Sequence, residues 1–180
     1  MMAKVNINGN DYFSEDDGKT HINIYSGGKT PLGRFLSNFT YSPTETPHGT
    51  FNSLEGYYHY LKSTLAIMGS PNSDELFYQY NEALYQLRLA TGKSAQHFGR
   101  VLRQQLMANG VWFDDTQSII KNELFVEALK NKISSSGYRN VFLASTLPFT
   151  HYYLFGNSIN FKPHYNDLSD VVTELRSQGV

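Results

Sequence analysis

Three side chains with complementary chemistry share one stripe of a predicted helix that follows a polar loop rich in glycine, serine and asparagine. Glu55, His59 and Lys62 are spaced four and then three positions apart, so at about 100° per residue they fall on one face. A carboxylate, an imidazole and an amine on one stripe form a candidate reaction centre.

Two of these residues also have a purely structural interpretation. The segment from Asn52 to Glu55, Asn-Ser-Leu-Glu, resembles a capping box, in which the Glu55 side chain bonds back to the start of the helix. Lys62 could equally be a solvated lysine on an amphipathic helix. Both interpretations leave the segment helical.

Composition limits the class of protein. With 180 residues, 40% of them hydrophobic and 17% charged, the sequence predicts a single domain over residues 1–180. No apolar run approaches the roughly 18 residues of a membrane helix, and the first ten residues lack the apolar core of a secretory signal. Cysteine is absent, which agrees with a reducing compartment. We therefore expect a cytoplasmic protein with no membrane association.

Charge and aromatic content narrow the range of partners. A net charge of −1 argues against a protein that binds nucleic acid mainly by covering its phosphates. The chain has 13 Tyr and 12 Phe, which indicates a core rich in aromatic side chains or a pocket for a flat ligand. Nothing in the sequence points to an obligate protein partner.

The hydrophobic pattern predicts an α+β fold that is mostly α. Short strands are expected at residues 4–8, 12–13, 21–25, 141–144 and 151–155. Helices are expected from about residue 53, at 73–92 with Ser73 as its cap, at 94–110 with Ser94 as its cap, at 115–133 and at 168–176. The helices at 73–92, 94–110 and 115–133 should supply most of the core. Residues 40–52 contain two prolines and a glycine and cannot form long regular structure.

Familiar catalytic motifs are missing from the sequence. It contains no P-loop, dinucleotide-binding fingerprint, zinc-ligand spacing or serine-hydrolase elbow. Residues 27–30, Gly-Gly-Lys-Thr, are interpreted as a turn. His21, His48, His97 and His164 are interpreted as surface or core residues. We predict no metal and no cofactor.

Two neighbouring segments resemble the NADAR family. Its hallmark is a Gly-x-Phe-Ser-Asn-Phe loop followed by a helix that begins with an acid and ends in lysine. The matching positions are Gly33, Phe35 with Leu36 inserted, Ser37, Asn38, Phe39, Glu55, Tyr57, Tyr58 and Lys62. Later segments, including one that ends in Gly99-Arg100, extend the resemblance over residues 25–176. Where the family helix carries His and Gln, this chain has Gly56 and His59.

The resemblance implies an α-helix-rich fold that cleaves N-glycosidic bonds at the anomeric carbon of a ribose. It implies two substrate classes, which are ADP-ribose on guanine in DNA and phosphoribosylamino-pyrimidine intermediates of riboflavin synthesis. We favour modified DNA, with a role in detoxification or anti-defence, because no riboflavin-pathway domain is fused to the chain.

Further residues are assigned to substrate binding. Arg34, Arg100 and the Ser37-Asn38 backbone could hold phosphates and ribose hydroxyls, and Phe39, Tyr57 or Tyr58 could stack on the base. His59 replaces the family's Gln. His151 or Tyr152 could replace an acid that the family carries near its C-terminus, and Trp112 belongs to the core or to the pocket.

Two reaction routes and two non-enzymatic alternatives remain open. Lys62 could attack the anomeric carbon to give a ring-opened imine while Glu55 moves protons. Alternatively the ring stays closed, Glu55 stabilises an oxocarbenium-like state and activates water, and Lys62 binds phosphate. The chain could also be a silent ADP-ribose-binding module or a structural protein that assembles through aromatic patches.

Overall fold

The computed structural model describes residues 3–180, so Met1 and Met2, which begin the predicted domain, lie outside the described residues. Seven helices and eight short strands follow one another along this part of the chain, and 3-10 turns occur at residues 14–16, 119–121 and 163–165. The elements are β1 (Lys4–Ile7), β2 (Asn10–Phe13), β3 (Ile22–Asn23), α1 (Pro31–Leu36), β4 (Thr44–Thr46), β5 (Gly49–Phe51), α2 (Leu54–Met68), α3 (Ser73–Leu89), α4 (Gly92–Ala108), α5 (Glu123–Ser134), α6 (Arg139–Ala144), β6 (Phe149–Thr150), β7 (Tyr153–Phe155), β8 (Ser158–Asn160) and α7 (Asn166–Ser177).

The fold is α+β and mostly α, as the hydrophobic pattern predicts. The chain divides into two compact units. The terminal unit contains residues 3–37 and 133–180, and the central unit contains residues 38–132. The single domain predicted for residues 1–180 stays a prediction. No helix within residues 3–180 is long and apolar enough to cross a membrane.

The terminal unit is built from short two-stranded sheets and helices. β1 pairs antiparallel with β2, β3 pairs parallel with β6, and β7 pairs antiparallel with β8. The first hairpin turns at Asn8 and Gly9, whose φ angles are 51° and 84°. Two successive positive φ values suit an Asn-Gly turn between twisted strands, and the strands predicted at residues 4–8 and 12–13 are confirmed as β1 and β2. Of the strand predicted at residues 151–155, β7 covers residues 153–155, and β8 lies beyond it.

Two helices of this unit lie where the sequence analysis expected something else. α1 occupies the predicted loop, and the Thr30 side chain accepts a hydrogen bond from Gly33 N while Pro31 opens the helix. This combination is a standard helix start. The strand predicted at residues 141–144 is wrong, because Phe142 N bonds to the Tyr138 carbonyl in α6. A short apolar run does not by itself distinguish a strand from a buried helix.

The central unit has a hydrophobic core formed by α2, α3 and α4. Its buried members lie at helical spacing on the three helices and on the segment after α4, and they are Ile67, Leu76, Tyr80, Leu84, Leu87, Leu102, Leu106, Val111 and Phe113. Antiparallel β4 and β5 form a hairpin within residues 40–52, so the prediction that this stretch has no long regular structure is confirmed.

The predicted helix starts need correction in the central unit. The cap of α3 is Asn72, and Ser73 is already helical. Thr91 caps α4, while Ser94 completes the capping box from inside the helix. The helix predicted at residues 115–133 is α5, which is shorter than predicted and begins at Glu123, because Asn122 Oδ1 accepts a hydrogen bond from Leu124 N and so acts as its N-cap. Residues 115–118 therefore remain outside any helix.

Candidate active site

The N-terminal half of α2 carries the candidate catalytic side chains and is firmly anchored. Ser53 caps the helix by accepting from Gly56 N at 3.2 Å and donating to the Ala90 carbonyl at 2.9 Å. Leu54, Tyr57 and Leu61 are at most 1% exposed. Because this face is fixed in the core, the positions of Glu55, His59 and Lys62 on α2 are fixed as well.

Glu55 and His59 form a pair near the start of α2. Glu55 Oε1 lies 3.2 Å from His59 Nε2, and their side chains are only 11% and 14% exposed. A carboxylate can only accept a hydrogen bond, so when Glu55 acts as one, His59 Nε2 is the donor in this bond. The capping-box interpretation of Glu55 is wrong, because Ser53 is the cap and the Glu55 carboxylate bonds to His59 instead.

The His59 ring is held against α4. A Cβ added at Gly99 would lie 2.1 Å from His59 Cγ, far inside van der Waals contact. Gly99 is therefore needed for the close approach of the imidazole to α4. The adjacent Arg100, which the sequence analysis assigns to substrate binding, is exposed on α4.

Lys62 is held in an ion-pair cluster that the sequence analysis did not find. Its Nζ lies 2.7 Å from Asp115 Oδ1. Arg103 binds the same carboxylate with both terminal nitrogens, at 2.9 Å to Oδ1 and 2.6 Å to Oδ2. The Arg103 guanidinium, and then Lys62, hold the pKa of Asp115 well below its usual range.

Aromatic rings lie beside both cations of this cluster. Lys62 Nζ is 5.9 Å from the centre of the half-buried Tyr58 ring, and the Arg103 guanidinium is 4.7 Å from the Phe113 ring. The ring of Tyr58 also meets that of His59 edge-on, with centroids 5.1 Å apart. Of the predicted stacking residues, Tyr58 is thus the one whose ring lies beside both Lys62 and His59.

Tyr57 is unsuited to stacking on a base in this structure. Its ring is fully buried among the rings of Phe51, Tyr60 and Phe125, at centroid distances of 4.8, 6.3 and 6.4 Å. Its hydroxyl lies 3.1 Å from His48 Nδ1. Since neither ring face is exposed, Tyr57 is a core residue.

The remaining predicted residues of the central unit differ in their surroundings. Asn38 accepts a hydrogen bond from Glu55 N at 2.9 Å through its backbone carbonyl. Its side-chain oxygen is buried and has no hydrogen-bond partner among residues 3–180. Phe39 is half-buried. The core interpretation of Trp112 is wrong, because the side chain is 74% exposed between two buried neighbours, Val111 and Phe113.

Four predicted site residues belong to the terminal unit. Arg34 Nη1 donates to the carbonyls of Gly28 and Lys29 at 2.8 and 2.9 Å. Ser37 is buried, and its N–H bonds to the Arg34 carbonyl. These contacts fix the end of α1.

The other two, His151 and Tyr152, lie at the strand ends of the terminal unit. Burial lowers the pKa of His151 from 6.5 to about 4. Tyr152 is fully buried, and its hydroxyl lies 2.8 Å from His21 Nε2. Burial raises the pKa of the Tyr152 hydroxyl, which keeps it neutral.

Asp115 and Arg103 carried only weak signals in the sequence. Asp115 is one of two successive acids after the helix predicted at residues 94–110, and the sequence analysis places it at the start of the next helix. Arg103 lies three positions after the Arg100 that the resemblance singled out. The contacts of Arg103 and Lys62 with Asp115 depend on the packing of α2 against α4, which no local pattern specifies.

The Glu55–His59 pair near the start of α2 can therefore bind and transfer protons. Lys62, two turns further along the helix, can bind an anion. No group of three or more His, Asp or Glu side chains within residues 3–180 could hold a metal ion. Comparison of the chain with protein-family models, with curated proteins and with solved structures returns no match.

Proposed function

We propose that this chain is an N-glycosidase with a NADAR-like fold that removes ADP-ribose from modified guanine in DNA. The observation that carries the proposal is the shielded Glu55–His59 pair, 3.2 Å apart, on the same helix face as the Lys62 cation. Positions 55 and 62 are about 10 Å apart along the helix axis. This spacing suits a substrate with a reacting sugar carbon at one end and a phosphate at the other.

In the proposed reaction, Glu55 acts on the anomeric carbon of the ribose. Its carboxylate stabilises the oxocarbenium-like state as the bond from carbon to the base nitrogen breaks. The carboxylate then takes a proton from water, whose oxygen bonds to the anomeric carbon, and passes that proton to the departing nitrogen. His59 positions the carboxylate through its Nε2 hydrogen bond.

The contact of Lys62 with Asp115 supports the closed-ring route over the imine route. A lysine attacks carbon with a free amine nitrogen, whereas Lys62 Nζ is engaged by the Asp115 carboxylate at 2.7 Å. Asp115 is also a poor acceptor for the lysine proton, because its pKa is far below the usual range. Lys62 thus acts as a cation that binds phosphate.

Stacking of the base is assigned to Tyr58, because its ring is half-buried whereas that of Tyr57 is fully buried. The near-neutral chain would then recognise a flipped or single-stranded modified nucleotide with few contacts to duplex DNA. Such an enzyme would work in the cytoplasm, without a metal or a protein partner. It would reverse the action of DNA ADP-ribosyltransferase toxins.

The test is incubation of the protein with an oligonucleotide that carries ADP-ribosyl-guanine. We expect wild type to release ADP-ribose, Glu55→Gln to lose release, and Lys62→Met to lose most of it. Lys130→Met, which removes an exposed lysine on α5, is the matched control and should behave as wild type. Intact substrate with wild-type protein would reject the proposal for this substrate.

The two routes are separated by borohydride, which reduces an imine to a stable covalent adduct. The closed-ring route predicts no adduct on Lys62 during turnover, whereas an adduct that disappears in Lys62→Met would establish the imine. A phosphoribosylamino-pyrimidine assayed in parallel tests the alternative substrate class.

A silent binding module is the second candidate, favoured by the engagement of Lys62 with Asp115 rather than with open solvent. This candidate predicts that the wild type binds ADP-ribose but leaves both substrates intact. Lack of any ADP-ribose binding would favour a structural protein instead.

A further inference from the structure

In the Lys62–Arg103–Asp115 cluster, two cations surround one carboxylate as they would surround a bound anion. Two cations on two different helices, with side chains only 20% and 30% exposed, converge on one carboxylate. That carboxylate belongs to a side chain that is 55% exposed and lies outside any helix or strand. The cations are thus fixed by the core, while the anion is supplied by a surface segment.

The geometry of the cluster suits a phosphate as well as a carboxylate. Arg103 binds both Asp115 oxygens in parallel, at 2.9 and 2.6 Å, and such a fork matches two oxygens of a phosphate equally well. Lys62 supplies a point charge on one side. The guanidinium plane rests on the Phe113 ring at 4.7 Å, which fixes its orientation.

A purely structural ion pair would be expected to contribute little here. An ion pair with an exposed partner is screened by solvent, whereas two half-buried cations with no anion would be unfavourable. Asp115 therefore compensates the cations when no ligand is bound, and because its side chain is 55% exposed a phosphate from solvent can reach the same two cations and compete with it.

We propose that Lys62 and Arg103 form a phosphate subsite and that the Asp115 carboxylate fills it as a tethered competitor until a phosphorylated ligand replaces it. That the ligand is a phosphate of the substrate rests on the proposed function. The convergence of the two cations on one carboxylate is independent of that function. Arg103 thereby becomes a substrate-binding residue, and Asp115 sets the affinity and selectivity of the subsite.

The test is calorimetric titration of the full chain with inorganic pyrophosphate, which has no base and no glycosidic bond. Asp115→Asn keeps the size of the side chain and removes the competing charge, so we expect about three- to tenfold tighter binding. Asp114→Asn is the matched control, because it removes the same charge one position earlier from a carboxylate that bonds to Thr116. It should change the affinity less than about twofold.

A second pair of variants keeps the test decisive if Asp115→Asn folds poorly. Arg103→Gln should weaken pyrophosphate binding about tenfold or more, whereas Lys93→Gln, which removes an exposed cation from the same helix, should have little effect. Equal affinities for Asp115→Asn and Asp114→Asn, or for Arg103→Gln and Lys93→Gln, would overturn the subsite.

The outcome is independent of turnover. Tighter pyrophosphate binding by Asp115→Asn together with an uncleaved oligonucleotide would retain the subsite and reject the glycosidase. Cleavage together with an Asp115→Asn affinity equal to that of the control would retain the glycosidase and overturn the subsite.

Discussion

Replacing Gly56 with alanine should force α2 away from α3 and destabilise the central unit. A Cβ at position 56 would lie 2.1 Å from the Leu87 carbonyl oxygen, well inside the 3.4 Å at which ordinary contact begins. Leu87 is fully buried in the core, and the clashing atom is backbone, so a change of side-chain rotamer cannot relieve the clash. The two helices would have to separate by about 1 Å.

The expected magnitude follows from two opposing effects. Overpacking of a well-filled core costs about 1–3 kcal/mol and occasionally more. The higher helix propensity of alanine offsets at most about 1 kcal/mol of this. We therefore expect the free energy of unfolding to fall by about 1–2 kcal/mol, which lowers the melting temperature by about 2–8 °C for a chain of this size.

The assay is thermal unfolding followed by circular dichroism, with Gly69→Ala as the matched control. Gly69 ends the same helix with a φ of −76°, and a Cβ there would meet nothing closer than 3.6 Å. This variant should melt at or slightly above the wild-type temperature. A Gly56→Ala melting temperature within about 1 °C of wild type would refute the close approach of α2 to α3.

Two further predictions concern the active-site pair and the terminal unit. Gly99→Ala should push the His59 ring off the Glu55 carboxylate and lower kcat for ADP-ribose release about 10- to 100-fold, and unchanged kcat in a folded variant would contradict this positioning. In the folded protein the pKa of His151 is about 4, below the ordinary 6.5. The neutral, buried imidazole therefore contributes its full share of the unfolding free energy above about pH 6.5, and this share is lost as the pH falls towards 4. His151→Phe should remove about 2–3 kcal/mol of this pH dependence, measured as the difference in unfolding free energy between pH 7 and pH 4.5, and an unchanged difference would count against burial of the imidazole.

Most of what could be predicted of the fold came from the regular spacing of apolar residues along the helices. The apolar positions of α3 and α4 recur every three or four residues over long stretches, and such a pattern has few alternative interpretations. The hairpin turn lies at Asn8 and Gly9, because few dipeptides suit two positive φ angles. The run that forms α6 is too short for its period to be decided, so its state depends on tertiary packing.

The candidate site was predictable only along α2. Helical spacing places Glu55, His59 and Lys62 on one face, but local sequence does not specify which side chain caps the helix when Asn52 and Ser53 both can. The contact between Lys62 and Asp115 joins residues distant in sequence. It exists because Gly56 and Gly99 let α2 approach its two neighbours closely, an effect that only the packed structure reveals.

The most direct test of the central claim is the rate of ADP-ribose release from the modified oligonucleotide by Glu55→Gln. This change keeps the size of the side chain and removes the carboxylate, so we expect at least about a 100-fold loss of kcat. Binding of ADP-ribose should stay close to that of wild type, as should both properties of Glu75→Gln, an exposed control on α3. Release by Glu55→Gln at the wild-type rate would contradict the assignment of Glu55 as the group that moves protons at the ribose.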